Sequence, residues 1–374
     1  MTVSEENQEI SSMAGTDNFA FTVPRVIKDK IFKDNDFSAP GASNILFISC
    51  HFENISLSHC HFHELRFEQC TMTHLSLKNV LCEKLIFTRC QLDIAINDSK
   101  GYELCFHECQ FNSLQSHCST LEEITMHHTC IDSGRFINNV ISQFIACDLK
   151  AQNCILKEGE LRDFSGYQCH FINNTWQQVL LTRQVMGDCT LDGCQFIEIK
   201  GLNRTWFNCQ LKSCEFINLS LEQSSFHRSV LQACSFKSSR LSGTVLCECQ
   251  FLYTNFNHAS LESIQGEQSY FSHCDLRYAD FTQANLVAAT FAHCDLGAAI
   301  IAGADLRAAN FQHQPLQSTA LENCRLHGAN FMDHLAGTYQ QDTLLEDIAH
   351  WYQTYHPGPK SGADSKKTGV INYV

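Results

Sequence analysis

The hydrophobic pattern of this chain repeats every five residues, most clearly between Tyr270 and Phe331. A large apolar side chain returns at every fifth residue, and a small side chain usually stands two residues before it. We call these the major and the minor core positions. The major positions in this stretch are Phe271, Leu276, Phe281, Leu286, Phe291, Leu296, Ile301, Leu306, Phe311, Leu316, Leu321, Leu326 and Phe331.

A period of five matches neither the 3.6 of a helix nor the 2.0 of an extended strand. A short repeat of fixed length is typical of a solenoid, in which each repeat buries its apolar side by stacking on its neighbours. The segments ADFTQANLVAA and GADLRAANF resemble the pentapeptide-repeat family, whose consensus is A(D/N)LXX. The resemblance implies an all-β, right-handed quadrilateral β-helix. In that fold four pentapeptides form the sides of one square coil, the major and minor positions point inward, and the other three residues face solvent.

The pattern extends over most of the chain, starting at Phe32. Of the 27 phenylalanines, 22 fall on the major position, and the exceptions are Phe19, Phe21, Phe144, Phe164 and Phe207. The frame slips by one residue between Leu92 and Phe106, which predicts a distorted side or a protruding loop near 93–105. Small residues interrupt the major position and predict kinks or surface bulges at Ser116, Ala146, Ala151, Gly166, Gly201 and Gly266.

Four segments follow from this pattern. Residues 1–30 are expected to form a disordered or capping arm, with 19–31 able to close the first coil, and residues 31–335 to form the solenoid. Residues 338–356 are predicted to be a C-terminal amphipathic α-helix, and 357–374 a flexible tail. The helix either caps the last coil or forms the seam of a homodimer, as in gyrase-interacting members of the family. Its apolar stripe consists of Leu344, Leu345, Ile348, Trp351, Tyr352 and Tyr355.

Composition narrows the functional classes. With 26 basic and 40 acidic residues the net charge is −14, which does not suit direct binding to nucleic acid. No apolar run is long enough for a membrane span. Sixteen of the 22 cysteines occupy the minor position, where a reduced cysteine acts as a small buried hydrophobe. Reduced cysteines favour a cytoplasmic location.

The candidate binding residues are histidines. His273, His293 and His313 recur once every four pentapeptides, between Tyr253 and Asp333 in the same frame, so a four-sided coil stacks them in one outward column. Such a column could bind a transition metal, become charged at mildly acidic pH, or have no ligand. The same alternatives apply to a second cluster, His59, His61 and His63. We predict no metal site or cofactor beyond these candidates.

No catalytic motif is present, so the sequence favours a non-enzymatic bacterial scaffold whose partner is another protein. Two alternatives come from the family resemblance. One is a DNA mimic that binds DNA gyrase or topoisomerase IV, which predicts a continuous acidic stripe along the rod. The other is a secreted effector, or an accessory protein of a secretion system, for which residues 1–30 would suit a delivery signal.

Overall fold

The computed structural model describes residues 24–34, 36–37, 42–201, 203–312 and 321–331. These residues form an all-β parallel solenoid of about 14 turns, which confirms the predicted fold class. None of the described residues is helical. The predicted helix 338–356, its apolar stripe, the tail, most of the arm, His313 and Asp333 all lie outside the described residues.

The strands run through the described chain in short segments. The first 19 are Arg25–Lys28 (β1), Ile31–Lys33 (β2), Asp36–Phe37 (β3), Ala42–Ile48 (β4), His51–Glu53 (β5), Ser56–Ser58 (β6), His61–Glu68 (β7), Thr71–Lys78 (β8), Leu81–Thr88 (β9), Gln91–Asn97 (β10), Lys100–His107 (β11), Gln110–His117 (β12), Thr120–His127 (β13), Cys130–Ile131 (β14), Gly134–Ile137 (β15), Val140–Cys147 (β16), Lys150–Gln152 (β17), Ile155–Lys157 (β18) and Glu160–Tyr167 (β19). The others are His170–Ile172 (β20), Thr175–Gln177 (β21), Leu180–Thr182 (β22), Gln184–Gly187 (β23), Thr190–Asp192 (β24), Gln195–Ile197 (β25), Arg204–Phe207 (β26), Gln210–Lys212 (β27), Val230–Gln232 (β28), Gln250–Leu252 (β29), Tyr270–Ser272 (β30), Thr290–Ala292 (β31), Asn310–Gln312 (β32) and Asn330–Phe331 (β33).

Strands pair in parallel with strands one coil away, which over most of the chain means four pentapeptides further along. Phe251 is the register partner of Phe271, and Phe271 is the partner of Phe291. One sheet has the order β1-β4-β7-β9-β11-β13-β16-β19-β23-β26, with β22 also paired to β19. Residues 25–28, inside the segment predicted as an arm, form β1 and pair with β4, so the first coil includes part of that segment.

The coil turns at a residue in the left-handed conformation, which recurs two positions after the major core position. At these corners non-glycine residues have φ between +47° and +61°. A side chain at positive φ is uncommon, and Asn, Asp and His tolerate it best. The recurrence once in each pentapeptide gives four corners to a coil of four pentapeptides, in agreement with a square cross-section.

The core consists of columns in which identical positions of successive coils stack. Phe271 and Phe291 are at most 1% exposed, and their ring centroids lie 4.9 Å apart at an interplanar angle of 3°. Fourteen of the 16 minor-position cysteines are buried, as predicted, and all 22 cysteines are free. A typical buried thiol of the minor position donates to a major-position carbonyl of the preceding coil. The Sγ of Cys274, for example, lies 3.4 Å from the Phe251 oxygen.

The size of the minor-position residue varies with the shape of the corner that precedes it in many coils. In β7, β9 and β11 this residue is Leu65, Leu85 and Leu104, and the strand continues through the corner for eight residues. From Leu221 onward the minor positions hold mainly Ser, Thr, Cys and Ala. There the backbone NH of the minor residue typically bonds the preceding major-position carbonyl, as in Ala279 N to Leu276 O at 3.1 Å. Small minor-position residues therefore accompany most of the tight turns, although Ile264 also follows one.

The frame slip is absorbed inside a strand, and the chain does not leave the coil as a loop. Strand β10 pairs with β8 and β12, and its register shifts by one residue just after Leu92. Ile94 takes an inward place and is 3% exposed. An extended side keeps the backbone hydrogen bonds to both neighbouring coils, which a loop would lose.

Five of the six predicted kinks prove to be regular, because the large and the small residue have exchanged positions. Phe144 precedes Ala146 and Phe164 precedes Gly166, and both phenylalanines point inward from the minor position, although Phe144 is less completely buried than Phe164. The same exchange places buried large residues before Ser116, Ala151 and Gly266, namely Leu114, Leu149 and Ile264. The kink prediction was therefore wrong at these five sites.

Gly201 is the interruption at which the backbone conformation does differ from that of the other coils. Its φ is +112°, and a Cβ added there would lie 1.8 Å from the Leu181 carbonyl oxygen. The buried Arg204 closes the irregular segment by donating from Nη2 to the Gly201 oxygen at 2.5 Å and from Nη1 to the Ser220 oxygen at 3.0 Å. Burial lowers the pKa of this guanidinium to about 10.

Candidate functional site

The predicted histidine column lies on a corner of the solenoid. Tyr253, His273 and His293 each occupy the left-handed corner position, with φ of 53° to 54°. The rings of Tyr253 and His273 are stacked with centroids 4.8 Å apart, and the rings of His273 and His293 lie 5.0 Å apart at 35°. The Oγ of Ser272 lies 2.9 Å from Nδ1 of His273 and helps to orient that ring. The column is therefore continuous over three coils.

A second aromatic column occupies a neighbouring corner of the same coils. His258 and Tyr278 stack with ring centroids 4.6 Å apart and an interplanar angle of 3°. Tyr270 extends from the side that leads to His273. We call the six residues the aromatic patch: Tyr253, His258, Tyr270, His273, Tyr278 and His293. Tyr253 is 61% exposed and Tyr278 is 54% exposed, so the patch offers large aromatic surfaces to solvent.

The backbone and the core hold the patch in place. Tyr253 N donates to the Ser272 oxygen and His273 N to the Ala292 oxygen, both at 2.9 Å, which ties each corner to the next coil. Beneath the patch the Phe251 and Phe271 rings stack at 4.8 Å. Because neighbouring coils fix the corner backbone, these rings lose little further backbone freedom when a partner binds.

The face between the two aromatic columns carries charges that are already paired. Arg277 donates from Nη2 to Oδ2 of Asp275 at 2.7 Å, and its Nε lies 3.5 Å from Oδ2 of Asp295. The hydrogen bond from Arg277 is the main cause that lowers the pKa of Asp275, and the same contact raises the pKa of Arg277. The patch is therefore suited to recognition by aromatic contact and hydrogen bonding, with little net local charge.

A family model for pentapeptide repeats matches residues 229–263 and 267–301 with eight copies. This chain carries pentapeptide repeats. The aromatic patch falls within the pentapeptide repeats that the family model matches, which are also the coils with hydrogen-bonded corner turns. No curated protein matches the chain.

Solved structures of pentapeptide-repeat proteins are similar in fold. HetL, a pentapeptide repeat protein involved in heterocyst differentiation regulation from the cyanobacterium Nostoc sp., is 18% identical with a TM-score of 0.33, over 58% of this chain and 91% of HetL. A trypsin-treated form of QnrB1, a plasmid-mediated fluoroquinolone resistance protein, is 18% identical with a TM-score of 0.24, over 60% of this chain and 98% of QnrB1. A mannuronic acid specific polysaccharide lyase from human gut microbiota is 10% identical with a TM-score of 0.29, over 88% of each chain. These likenesses concern the fold and carry no argument about function.

The second histidine cluster precedes the matched pentapeptide repeats. His61 and His63 flank the inward Phe62, as the sequence predicts, and both approach the same carboxylate on the next coil. Nε2 of His61 lies 3.4 Å from Oε1 of Glu83, and Nδ1 of His63 lies 3.2 Å from Oε2. His59 stands at a corner, with a φ of 55°. The Glu83 carboxylate thus lies between the two imidazoles, within hydrogen-bond distance of His63.

A polar surface groove of about 560 Å³ runs along another corner, past Gly159. Its carboxylates have partners: Gln178 Nε2 donates to Oε2 of Glu198 at 2.7 Å, and Lys157 Nζ lies 3.2 Å from Oε1 of Glu158. The groove thus presents carboxylates that are already hydrogen-bonded or ion-paired.

Acidic residues do not form a stripe along the described coils. With successive coils in register, at most two acidic residues follow one another in any column, as at Glu103 and Glu123 or at Asp275 and Asp295. Basic residues interrupt the columns and pair with them. Arg228, for example, donates from Nε to Glu248 at 2.9 Å. Among the described residues, no helix is long and apolar enough to cross a membrane.

Sequence reasoning missed the two-column form of the patch and one further group of residues. Six cysteines stand away from the minor core position, and among all 22 cysteines only Cys118 is exposed. It lies close to His117 and Asp98. The sequence did contain a signal for this group. Cys118 stands at an outward position of its pentapeptide, where a thiol has no role in core packing.

Proposed function

We propose that this pentapeptide-repeat chain is a non-enzymatic scaffold that binds another protein through the aromatic patch. The observation that carries the proposal is the pair of exposed, stacked aromatic columns on neighbouring corners. Aromatic residues, Tyr in particular, are enriched at protein interfaces and among the residues that contribute most to binding. Rings fixed on a rigid backbone bind with a small entropy cost, since little further ordering is required.

The charge distribution favours this scaffold over a DNA mimic. A mimic of duplex DNA requires a continuous acidic surface, because the charge of the phosphate backbone dominates the affinity of proteins for DNA. The described columns instead alternate acidic with neutral and basic residues. The net charge of −14 still favours a partner whose contact surface is basic or neutral.

The test uses the full-length protein as bait in a bacterial lysate, beside two variants. Tyr253→Ser with Tyr278→Ser removes one exposed tyrosine ring from each column of the patch. Ile172→Ser is the matched control, since Ile172 is also an exposed apolar residue, at 44%, on a distant coil. We expect a protein that the wild type and the control capture, and that the double variant retains at a tenfold lower level or less.

Other outcomes reject the proposal in distinguishable ways. Equal capture by the double variant would place the binding surface elsewhere on the rod. Recovery of gyrase or topoisomerase IV, with loss of supercoiling activity on addition of the protein, would support the DNA-mimic alternative. Recovery of secretion components would support the export alternative, and self-capture would support the predicted homodimer. A cytoplasmic location and a bacterial source stay predictions.

A further inference from the structure

Asp98, His117 and Cys118 form a compact group of metal-ligating side chains far from the aromatic patch. One ligand atom of each lies within 4.8 Å of the others, and all three residues are exposed. We infer that these three residues form a binding site for a divalent transition metal ion, with zinc as the best-suited ion. This site is independent of the proposed scaffold function.

The fold brings the ligands together by stacking two corners. Asp98 and Cys118 occupy the same left-handed corner position in successive coils, with φ of 50° and 51°. His117 is the residue just before the corner, and its carbonyl oxygen accepts a hydrogen bond of 3.0 Å from the Asp98 NH. The backbone of both coils is thus fixed, and a metal ion has to order only three exposed side chains.

The separation of the His117 and Cys118 ligand atoms matches a tetrahedral zinc site. Zinc binds imidazole nitrogen at about 2.0–2.1 Å and thiolate sulfur at about 2.3 Å, so at the tetrahedral angle the two ligand atoms stand about 3.6 Å apart. Nε2 of His117 lies 3.6 Å from Sγ of Cys118. The Asp98 carboxylate lies within 4.8 Å of both ligand atoms, and because its side chain is exposed it is free to turn toward a bound ion.

The chemistry of the ligands indicates the class of metal. Thiolate and imidazole together favour zinc and its neighbours in the first transition series over magnesium or calcium, which prefer oxygen ligands. The corner residues of the adjacent coils, Asn79 and Asn138, are neutral. Three protein ligands leave at least one coordination position for water or for a group from another molecule, as in open zinc sites.

The position of Cys118 supports a role other than packing. The cysteines of the minor core position are mostly buried and donate to backbone carbonyls of the preceding coil. Cys118 instead faces solvent at a corner, and its Sγ has His117 as its hydrogen-bonding neighbour. An exposed thiol beside an imidazole and a carboxylate adds nothing to core packing and is prone to oxidation, so a purely structural role does not explain it.

The experiment titrates Co²⁺ into the reduced, chelator-treated full-length protein. We expect one equivalent to bind, with the near-ultraviolet absorption of a thiolate bound to cobalt and the visible bands of a tetrahedral ion, and Zn²⁺ to displace it. Cys118→Ser should abolish the thiolate band and weaken Zn²⁺ binding at least tenfold in competition with a chelator. Asp98→Asn and His117→Gln should each weaken it at least tenfold. Far-ultraviolet circular dichroism checks that each variant keeps the wild-type fold.

Cys247→Ser is the matched control. Cys247 also stands away from the core positions and contacts a carboxylate, with its Sγ 2.9 Å from Oε2 of Glu267. The control should bind Co²⁺ like the wild type. Absence of the thiolate band in the wild type would overturn the inference. A band of equal intensity in Cys118→Ser would also overturn it, because the metal would then be bound by other thiols.

Discussion

The exchange of large and small residues between the two core positions makes a quantitative prediction at Phe164 and Gly166. Phe164 is 4% exposed and occupies the minor position, where most coils have a smaller side chain. An ideal Cβ on Gly166 would lie 3.1 Å from Cζ and 3.3 Å from Cε1 of the Phe164 ring. The ring therefore fills the space that a major-position side chain would normally take.

Each single substitution should destabilise the protein for a different reason. Phe164→Ala removes a buried ring and enlarges an existing cavity of about 90 Å³ that this ring lines. We expect it to lower the free energy of unfolding by about 3–5 kcal/mol. Gly166→Leu forces the ring to move, and overpacking of this kind costs about 1–3 kcal/mol.

The double variant tests the reasoning. With Phe164→Ala in place, Leu at 166 can enter the vacated volume, and the pair becomes the small-then-large order of the family consensus. The double variant should lose less unfolding free energy than the sum of the two single losses, with a coupling free energy of about 1–3 kcal/mol. Urea denaturation followed by circular dichroism measures all four proteins. Ile145→Ala, an outward residue at 48% exposure, combined with Gly166→Leu should be additive. Additivity of the 164/166 pair as well would refute the shared-volume explanation.

Three further predictions concern single positions. In the native protein iodoacetamide should modify the exposed Cys118 first. Cys82 and Cys249 should react only after unfolding, because burial raises the pKa of both thiols to about 12. Peptide mass spectrometry measures the order of modification. Gly201→Ala should lower the midpoint of thermal unfolding markedly, because the added Cβ overlaps the Leu181 carbonyl oxygen. A midpoint equal to that of the wild type would contradict the backbone conformation described at Gly201. Arg204→Ala should lower the free energy of unfolding by about 2–5 kcal/mol, because it leaves two carbonyl oxygens without their donor. Amide hydrogen exchange in β26 should become faster in this variant.

The period of five was enough to predict a solenoid, because every coil repeats the same burial pattern, and the resemblance to pentapeptide-repeat proteins supplied the inward positions and hence the stacked cysteines. It failed where both inward positions matter together. Kinks were predicted at Ala146 and Gly166 because the pattern was followed at the major position alone. For the same reason Phe144 and Phe164 fell outside it. Either inward position can hold the large residue as long as the volume of the pair is conserved.

The candidate site was predicted along one column only. The spacing of one full coil placed Tyr253, His273 and His293 together, and the same spacing joins His258 and Tyr278, a second column that the search for histidine repeats did not include. The group around Cys118 was less visible still. Asp98 and Cys118 are 20 residues apart and obey the column rule, but His117 joins the group from the position just before the corner, which a rule for corner columns does not include.

Both sites lie at the left-handed corner, and the fold gives a reason for this. The inward positions are constrained by packing, and the residues along the sides lie on continuous sheets beside their neighbours. A corner side chain is exposed, while its backbone is fixed by hydrogen bonds to the adjacent coils, as the Asp98 and Tyr253 amides show. A substitution there changes the chemistry of the surface at little cost to stability. A column of corners is therefore the place where a pentapeptide-repeat chain can acquire a binding site without altering its core.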